Sequence, residues 1–322
     1  MRIPIPDFRV LLFLTAALLL APGGMQASQL NIPPDAVEGI RLMYSGKLDQ
    51  AILVAHKLEA GRPEHPLGYL LEAETLWWKI YCKSVERKYN TLDAWSHARA
   101  PEPEDDAYLA LADKIARLAE ASIAKSDTAE MELYLGTSYG LRARLLGLRY
   151  EKMPTARAGV EARKHLLRCL ELDPNMADAY MGLGVYNYLA DALSAMAKVL
   201  RFFMGIPGGS KRVGLHQLEM AAANGEIMQT EARFNMAKNL RNYDLDYPRA
   251  AQAIAPLTSE FPKNPLFLLL AGDIAAKLGH NDEAAAHFRA AAAAPVEDHA
   301  CAEQVQKLAS EALAALSAPH KN

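Results

Sequence analysis

Side chains able to do chemistry are spread thinly along the 322 residues. None of the nine histidines belongs to a His-Glu-x-x-His arrangement and no two stand four apart, so the paired imidazoles of a helical zinc site are absent. His280 and His287 are seven apart with Asp282 and Glu283 between them, but Gly279-His280-Asn281-Asp282 reads as a turn joining two helices. The sequence has no dinucleotide fingerprint or cysteine-histidine signature. Gly208-Gly209-Ser210-Lys211-Arg212 could offer backbone N–H groups and two cations to an anion at the start of a helix over Val213–Ala223. It lacks the glycine-lysine-serine order of a phosphate loop, and Ser210 is better read as a helix cap. These patterns assign no catalytic residue, cofactor or metal, and the expectation is a protein that is not an enzyme.

The three cysteines, Cys82, Cys169 and Cys301, are distant and odd in number, which excludes a disulfide framework and close-spaced metal or redox motifs, although one pair could form. Cys169 falls where a small packing residue is needed and reads as a buried hydrophobe.

The polar chemistry that is left suits binding. Asn235, Asn239 and Asn242 recur at i, i+4 and i+7, one polar face on an otherwise apolar helix, and amides suit a peptide backbone or a carboxylate. Tyr243 follows them. Asp178, Met181, Val185 and Tyr188 form a similar face one unit earlier, and Asp273 and Lys277 one unit later. A basic run, Arg142, Arg144, Arg149, Lys152, Arg157, Arg163, Lys164 and Arg168, is opposed only by Glu151 and Glu161 and could meet anionic lipid, a polyanion or an acidic partner. Over Leu189–Ile206, apolar residues including Leu193, Leu200 and Phe203 step by four and three with Asp191, Ser194, Lys198 and Arg201 opposite. That is an amphipathic helix, charged too heavily to span a bilayer, which could pack into the fold or lie on a membrane or partner. Trp77 and Trp78 could hold an aromatic ligand, but neighbours on a helix diverge, and core packing is the better reading.

What must position these residues is a repeat. Ala51, Ala55, Leu58 and Pro63 follow a 4-3-5 spacing that returns as Ala162, Leu166, Cys169, Pro174 and as Ala250, Ile254, Leu257, Pro262. Gly279, Ala284, Phe288 and Ala291 repeat it with Pro295 one place early, and Gly214, Leu218 and Ala221 give a weaker copy. Small residues are required where paired helices cross, because axes about 8–10 Å apart leave little room. Leu135-Gly136, Leu183-Gly184 and Ala271-Gly272 mark the first helices of such pairs. Leu170–Tyr188, with Pro174 ending one helix and Tyr180, Leu183 and Gly184 in the next, resembles the junction between two tetratricopeptide repeats. Leu135 and Leu183 are 48 residues apart rather than the ideal ~34, which predicts elongated helices or an inserted turn near Met153-Pro154.

No sustained period-two alternation occurs. The expected fold is all-α: a right-handed tetratricopeptide-like α-solenoid of five to six irregular helical hairpins, closed by a capping helix over Val296–Ser317. Residues 28–126 are its irregular part, 127–188 and 213–295 the clearer repeats, 189–212 an amphipathic insert and 296–322 the cap. The stretch FFMGIPGGSKRVGLHQLEMAAANG, Phe202–Gly225, also resembles the eukaryotic repeat family related to inclusion-body clearance proteins and exported bacterial repeat proteins. That resemblance implies a non-enzymatic, lipid-associated role and supplies no catalytic residues. In tetratricopeptide-repeat proteins the first helices line a concave groove, where the Asp178, Asn239 and Lys277 faces would hold a protein or peptide.

The N-terminus has the parts of an export signal: Arg2 and Arg9, an apolar run from Val10 to Ala21, then Pro22-Gly23-Gly24 before Ala27, with cleavage expected after Ala27. No cysteine follows the apolar run, so a lipoprotein signal is not expected. The net charge of −3 argues against a nucleic-acid partner. The sequence therefore points to an exported scaffold that binds a protein partner in the periplasm or at an envelope surface, with a membrane-associated protein acting through Leu189–Ile206 as the second reading and an enzyme whose site is built from scattered residues as the third.

Overall fold

The computed structural model describes residue 30 and residues 32–88, 91–94, 98–193, 198, 201–202 and 204–317. The export-signal residues lie outside them. Thirteen α-helices follow one another among the described residues, and twelve of them form six antiparallel hairpins. These are α1 (Pro34–Tyr44) with α2 (Leu48–Gly61), α3 (Pro66–Ser84) with α4 (Pro103–Ile123), and α5 (Ala129–Leu148) with α6 (Lys152–Leu172). Then come α7 (Ala179–Ala192) with α8 (Lys211–Asn224), α9 (Gln229–Asn239) with α10 (Tyr247–Glu260), and α11 (Pro265–Lys277) with α12 (Asn281–Ala293). The last helix, α13 (His299–Ser317), caps the array. The connection between α3 and α4 holds a three-residue antiparallel ribbon, β1 (Glu86–Lys88) on β2 (Thr91–Asp93), which helix-period reasoning did not anticipate.

Starts and stops follow local chemistry. The Asn264 side chain accepts the N–H groups of Leu266 and Phe267 at the head of α11, Thr128 caps α5, and Glu102 and Asp105 form a reciprocal capping box on α4. The turns after α1 and α11 place Gly46 and Gly279 at φ 79° and 80°, a region where a side chain is strained.

The counted spacing is the hairpin contact. Ala51 and Ala55, Ala162, Leu166 and Cys169, Leu218 and Ala221, Ala250, Ile254 and Leu257, and Ala284, Phe288 and Ala291 are all buried. Across from them sit the glycines of the first helices: a Cβ on Gly136 would lie 2.7 Å from Leu166, on Gly184 2.8 Å from Leu218, and on Gly272 2.7 Å from Phe288. Gly214 is hemmed in by backbone, since a Cβ there would lie 2.6 Å from the Tyr188 nitrogen and 2.7 Å from the Gly184 oxygen. Gly214→Ala is expected to lower stability by about 1–3 kcal/mol, read as a urea-midpoint shift at unchanged m-value.

The long gap between repeats has a simple cause. Helices α5 and α6 are 20 and 21 residues long and the turn between them is short, so the unit is elongated rather than interrupted. In the stretch 28–126, expected to be irregular, the described residues hold two hairpins, α1 with α2 and α3 with α4, the second with a long connection. The predicted helix over Leu189–Ile206 is not continuous: α7 ends at Ala192, and Leu193 turns to extended backbone at ψ 148°. Leu200 and Phe203 lie outside the described residues.

The solenoid closes on itself. Cys82 in α3 is disulfide-bonded to Cys301 in α13, 219 residues away. Asn264 donates through Nδ2 to the Tyr44 carbonyl at 2.8 Å, the Asp49 N–H donates to Glu297 at 2.8 Å, and Gln304 donates to the Val85 carbonyl at 2.5 Å. An aromatic cluster fills the space where an open array would have its groove. Trp78 lies 5.6 Å from Tyr44, 5.1 Å from Phe234 and 5.6 Å from Phe267, centroid to centroid, which is the range of favourable edge and tilted ring pairs.

Candidate functional site

The closed array has two surfaces: the inner wall, where the binding residues are expected, and the edge formed by the turns within each hairpin. On the inner wall a buried charge cluster joins three hairpins. Arg144 of α5 donates through Nη2 to Glu74 of α3 at 2.7 Å, through Nη1 to Glu231 of α9 at 3.5 Å, and through Nε to the Tyr108 hydroxyl of α4 at 3.1 Å. Its guanidinium carbon sits 4.3 Å from the centroid of a Trp77 ring. Asn235 donates to Glu231 at 3.0 Å. Glu74 Oε1 and Glu231 Oε2 are buried and accept no hydrogen bond. Burial drives the Glu74 carboxyl above its ordinary value, Arg144 opposes the rise, and the neighbouring Glu231 adds to it. Sequence reasoning missed this cluster, placing Arg144 in a surface run and not singling out Glu74, an acid set in the apolar stretch Leu70–Tyr81.

The residues expected to line a groove are mostly consumed inside the protein. Asp178 is buried and accepts the N–H groups of Glu226, Ile227 and Met228 at 3.0, 2.9 and 2.7 Å, so it caps the approach to α9. Tyr188 is fully buried, and its hydroxyl donates to the Asn239 carbonyl at 3.1 Å. Asn235 and Asn239 are buried as well. Beyond Asn239 the helix widens into a π-turn, Leu240–Asp244, which breaks the expected i, i+7 face and swings Asn242 and Tyr243 to the turn edge. Lys277 lies half-buried at the end of α11. Trp77 and Trp78 are core residues, as expected.

The basic run is also largely spent. Arg142 pairs with Asp113, Arg144 with the two glutamates, Arg149 with Asp105 in the interior, and Arg168 with Asp127 and Glu171. At the glycine-rich turn, Ser210 caps α8, but the Lys211 N–H already donates to Asp191 at 2.9 Å, so the chain's own carboxylate fills the anion position. Cys169 is buried, and burial pushes its thiol up to about 12.

The turn edge differs from both. Eight of the twelve large apolar residues exposed among those described lie in the turns of the third, fourth and fifth hairpins or on the helix ends beside them. Tyr150 and Met153 come from the third, Leu189, Leu193, Phe202 and Met204 from the fourth, and Tyr243 and Leu245 from the fifth. Phe202 is 78% exposed. The three turns are tied together. Tyr186 lies against Gly159 and Arg163 and donates to the Pro207 carbonyl at 2.8 Å, while Lys211 reaches Asp244 at 2.5 Å. Tyr150 and Leu245 adopt φ of 66° and 55°, the two positive-φ residues other than glycine among those described. Bulky side chains in that region cost of order 1–3 kcal/mol each, and such strain collects at working surfaces. Sequence periodicity carries no signal for either residue.

Residues 243–298 match the family model of the tetratricopeptide repeat, a span from the fifth hairpin's turn through the sixth hairpin. No curated protein matches the sequence. A solved structure of the C-terminal part of a tetratricopeptide repeat-containing protein from Cytophaga hutchinsonii is similar at 12% identity, covering 89% of this chain and 96% of that one with a TM-score of 0.36. The family match lies on the last repeats of six stacked helical hairpins with small-residue crossings, and the described residues have the architecture of a tetratricopeptide-like α-solenoid.

Proposed function

We propose that the protein is an exported, non-enzymatic scaffold that assembles a complex at an envelope surface through the turn edge of its third to fifth hairpins. Tetratricopeptide repeats generally mediate protein–protein interaction, and here the inner wall is filled by the chain's own aromatic residues. The observation that carries the reading is the concentration of exposed apolar side chains on that one edge, since contiguous exposed apolar patches mark interaction surfaces. The Cys82–Cys301 disulfide supports export, because such bonds persist in oxidising compartments, and the N-terminal segment has the pattern of a cleavable signal.

The test is crosslinking in the native host, with cell fractionation and sequencing of the mature N-terminus. One recurrent protein adduct is expected from the wild type, lost in a Phe202→Glu, Leu245→Glu double variant and kept in Leu53→Glu, an exposed change on α2. The mature chain is expected to begin at Ser28 in an extracytoplasmic fraction. Equal adduct yield from all three proteins would refute the edge as the contact surface.

A further inference from the structure

The edge that carries the proposed scaffold also has a chemistry that selects among occupants, and we infer that it rests on the anionic surface of a lipid leaflet. This rests on the reading that the edge is the contact surface. Its apolar residues stand on the tips of three successive turns, at Tyr150, Phe202 and Leu245, rather than lining a groove. A lipid interface accommodates convex apolar groups at any spacing.

Charge points the same way. In these turns and on the helix ends beside them, Lys152, Arg157, Arg201 and Arg212 have no acidic partner among the described residues, while Asp191 and Asp244 are neutralised by Lys198 and Lys211. Glu151 is the carboxylate left to oppose those four, because Asp246 pairs with Arg249. A chain with a net charge of −3 thus sets a cationic, apolar-tipped edge on one side. Lys152 lies 4.6 Å from the Tyr150 ring centroid, an aromatic and cation side by side as an interfacial anchor requires. Among the described residues no helix is long and apolar enough to cross a bilayer, and the edge is taken to make a peripheral contact.

The experiment is vesicle co-sedimentation of the full chain with its own N-terminal segment, using phosphatidylcholine vesicles with and without one-third phosphatidylglycerol. Because every variant carries the same N-terminus, differences between variants report the edge. The expected result is binding that strengthens with phosphatidylglycerol, weakens with salt, and falls at least about tenfold in Phe202→Glu, Leu245→Glu but not in Leu53→Glu. The exposed positions make an unchanged urea midpoint the folding control. Vesicle binding equal in all variants, or none above background, would overturn the lipid inference. If vesicles are not bound but the edge variant still loses its protein adduct in the host, the scaffold reading stands without lipid. If vesicles are bound and no protein adduct forms, the lipid contact stands and the scaffold reading fails.

Discussion

Arg144→Met is expected to lower stability by about 3–5 kcal/mol at neutral pH, the range for leaving a buried ion cluster without one partner. The guanidinium is the cation between two buried carboxylates, at 2.7 Å from Glu74 and 3.5 Å from Glu231, and it also donates to the Tyr108 hydroxyl. Those contacts span the second, third and fifth hairpins, so the variant weakens the closed array across its middle rather than at one helix pair. The loss should depend on pH in a definite direction. Burial raises the Glu74 carboxyl above its ordinary value of 4.5 even with Arg144 present. A carboxyl raised on folding contributes its full stability below the unfolded value and loses it as pH rises through the folded one. Without Arg144 the group rises further, so the deficit should be smaller near pH 5 and larger near pH 8. Glu74→Gln should be tolerated better, because Arg144 and Glu231 remain paired and the stability-against-pH curve flattens. Urea unfolding of the three proteins at both pH values reads this directly. A deficit for Arg144→Met below about 1 kcal/mol, or one that does not change with pH, would show that the cluster is solvated and carries little of the closure.

This cluster also marks the limit of what was legible in the sequence. Ala162, Leu166 and Cys169 could be read as a crossing face because the demand for small residues is local and recurs with each hairpin. The cap, Ser210 at the head of α8 and the turn glycines were legible for the same reason. Asp178 and Tyr188 were placed on a groove because their register puts them on the first helix's inner side, which is true of an open array. Closure makes that side an interior. It depends on contacts such as Asn264 to Tyr44, 220 residues apart, which no periodicity reports. The Asn242 face failed for another reason: a π-turn adds a residue to one turn of helix, and extrapolating 3.6 residues per turn across it rotates every later side chain. The apolar edge escaped in part because Tyr150 and Leu245 look like ordinary helix-end residues until their backbone angles are known.

Closure should also make the disulfide the largest covalent contribution to stability. Joining Cys82 to Cys301 closes a loop of 219 residues in the unfolded chain, for which the chain-entropy relation gives about 5 kcal/mol at 25 °C. Residual structure in the denatured chain reduces that figure, so the Cys82→Ala, Cys301→Ala double variant is expected to lose about 3–5 kcal/mol. The m-value should rise, because an unlinked denatured chain exposes more surface. The folded state should stay closed: the aromatic cluster around Trp78, the Asn264 to Tyr44 hydrogen bond and the packing of α13 on α3 and α11 do not require the bond. Urea unfolding with a hydrodynamic radius measured before the transition separates these statements. An expanded native radius in the double variant would mean that the disulfide holds the array shut, rather than only destabilising its unfolded form. Cys169→Ala serves as the internal comparison. Its thiol is buried and shifted upward, so it should not react with Ellman's reagent until the chain unfolds, and its replacement should cost well under the double variant. With the native protein silent, one thiol should titrate in denaturant and three after reduction, which fixes the pairing independently of any stability measurement.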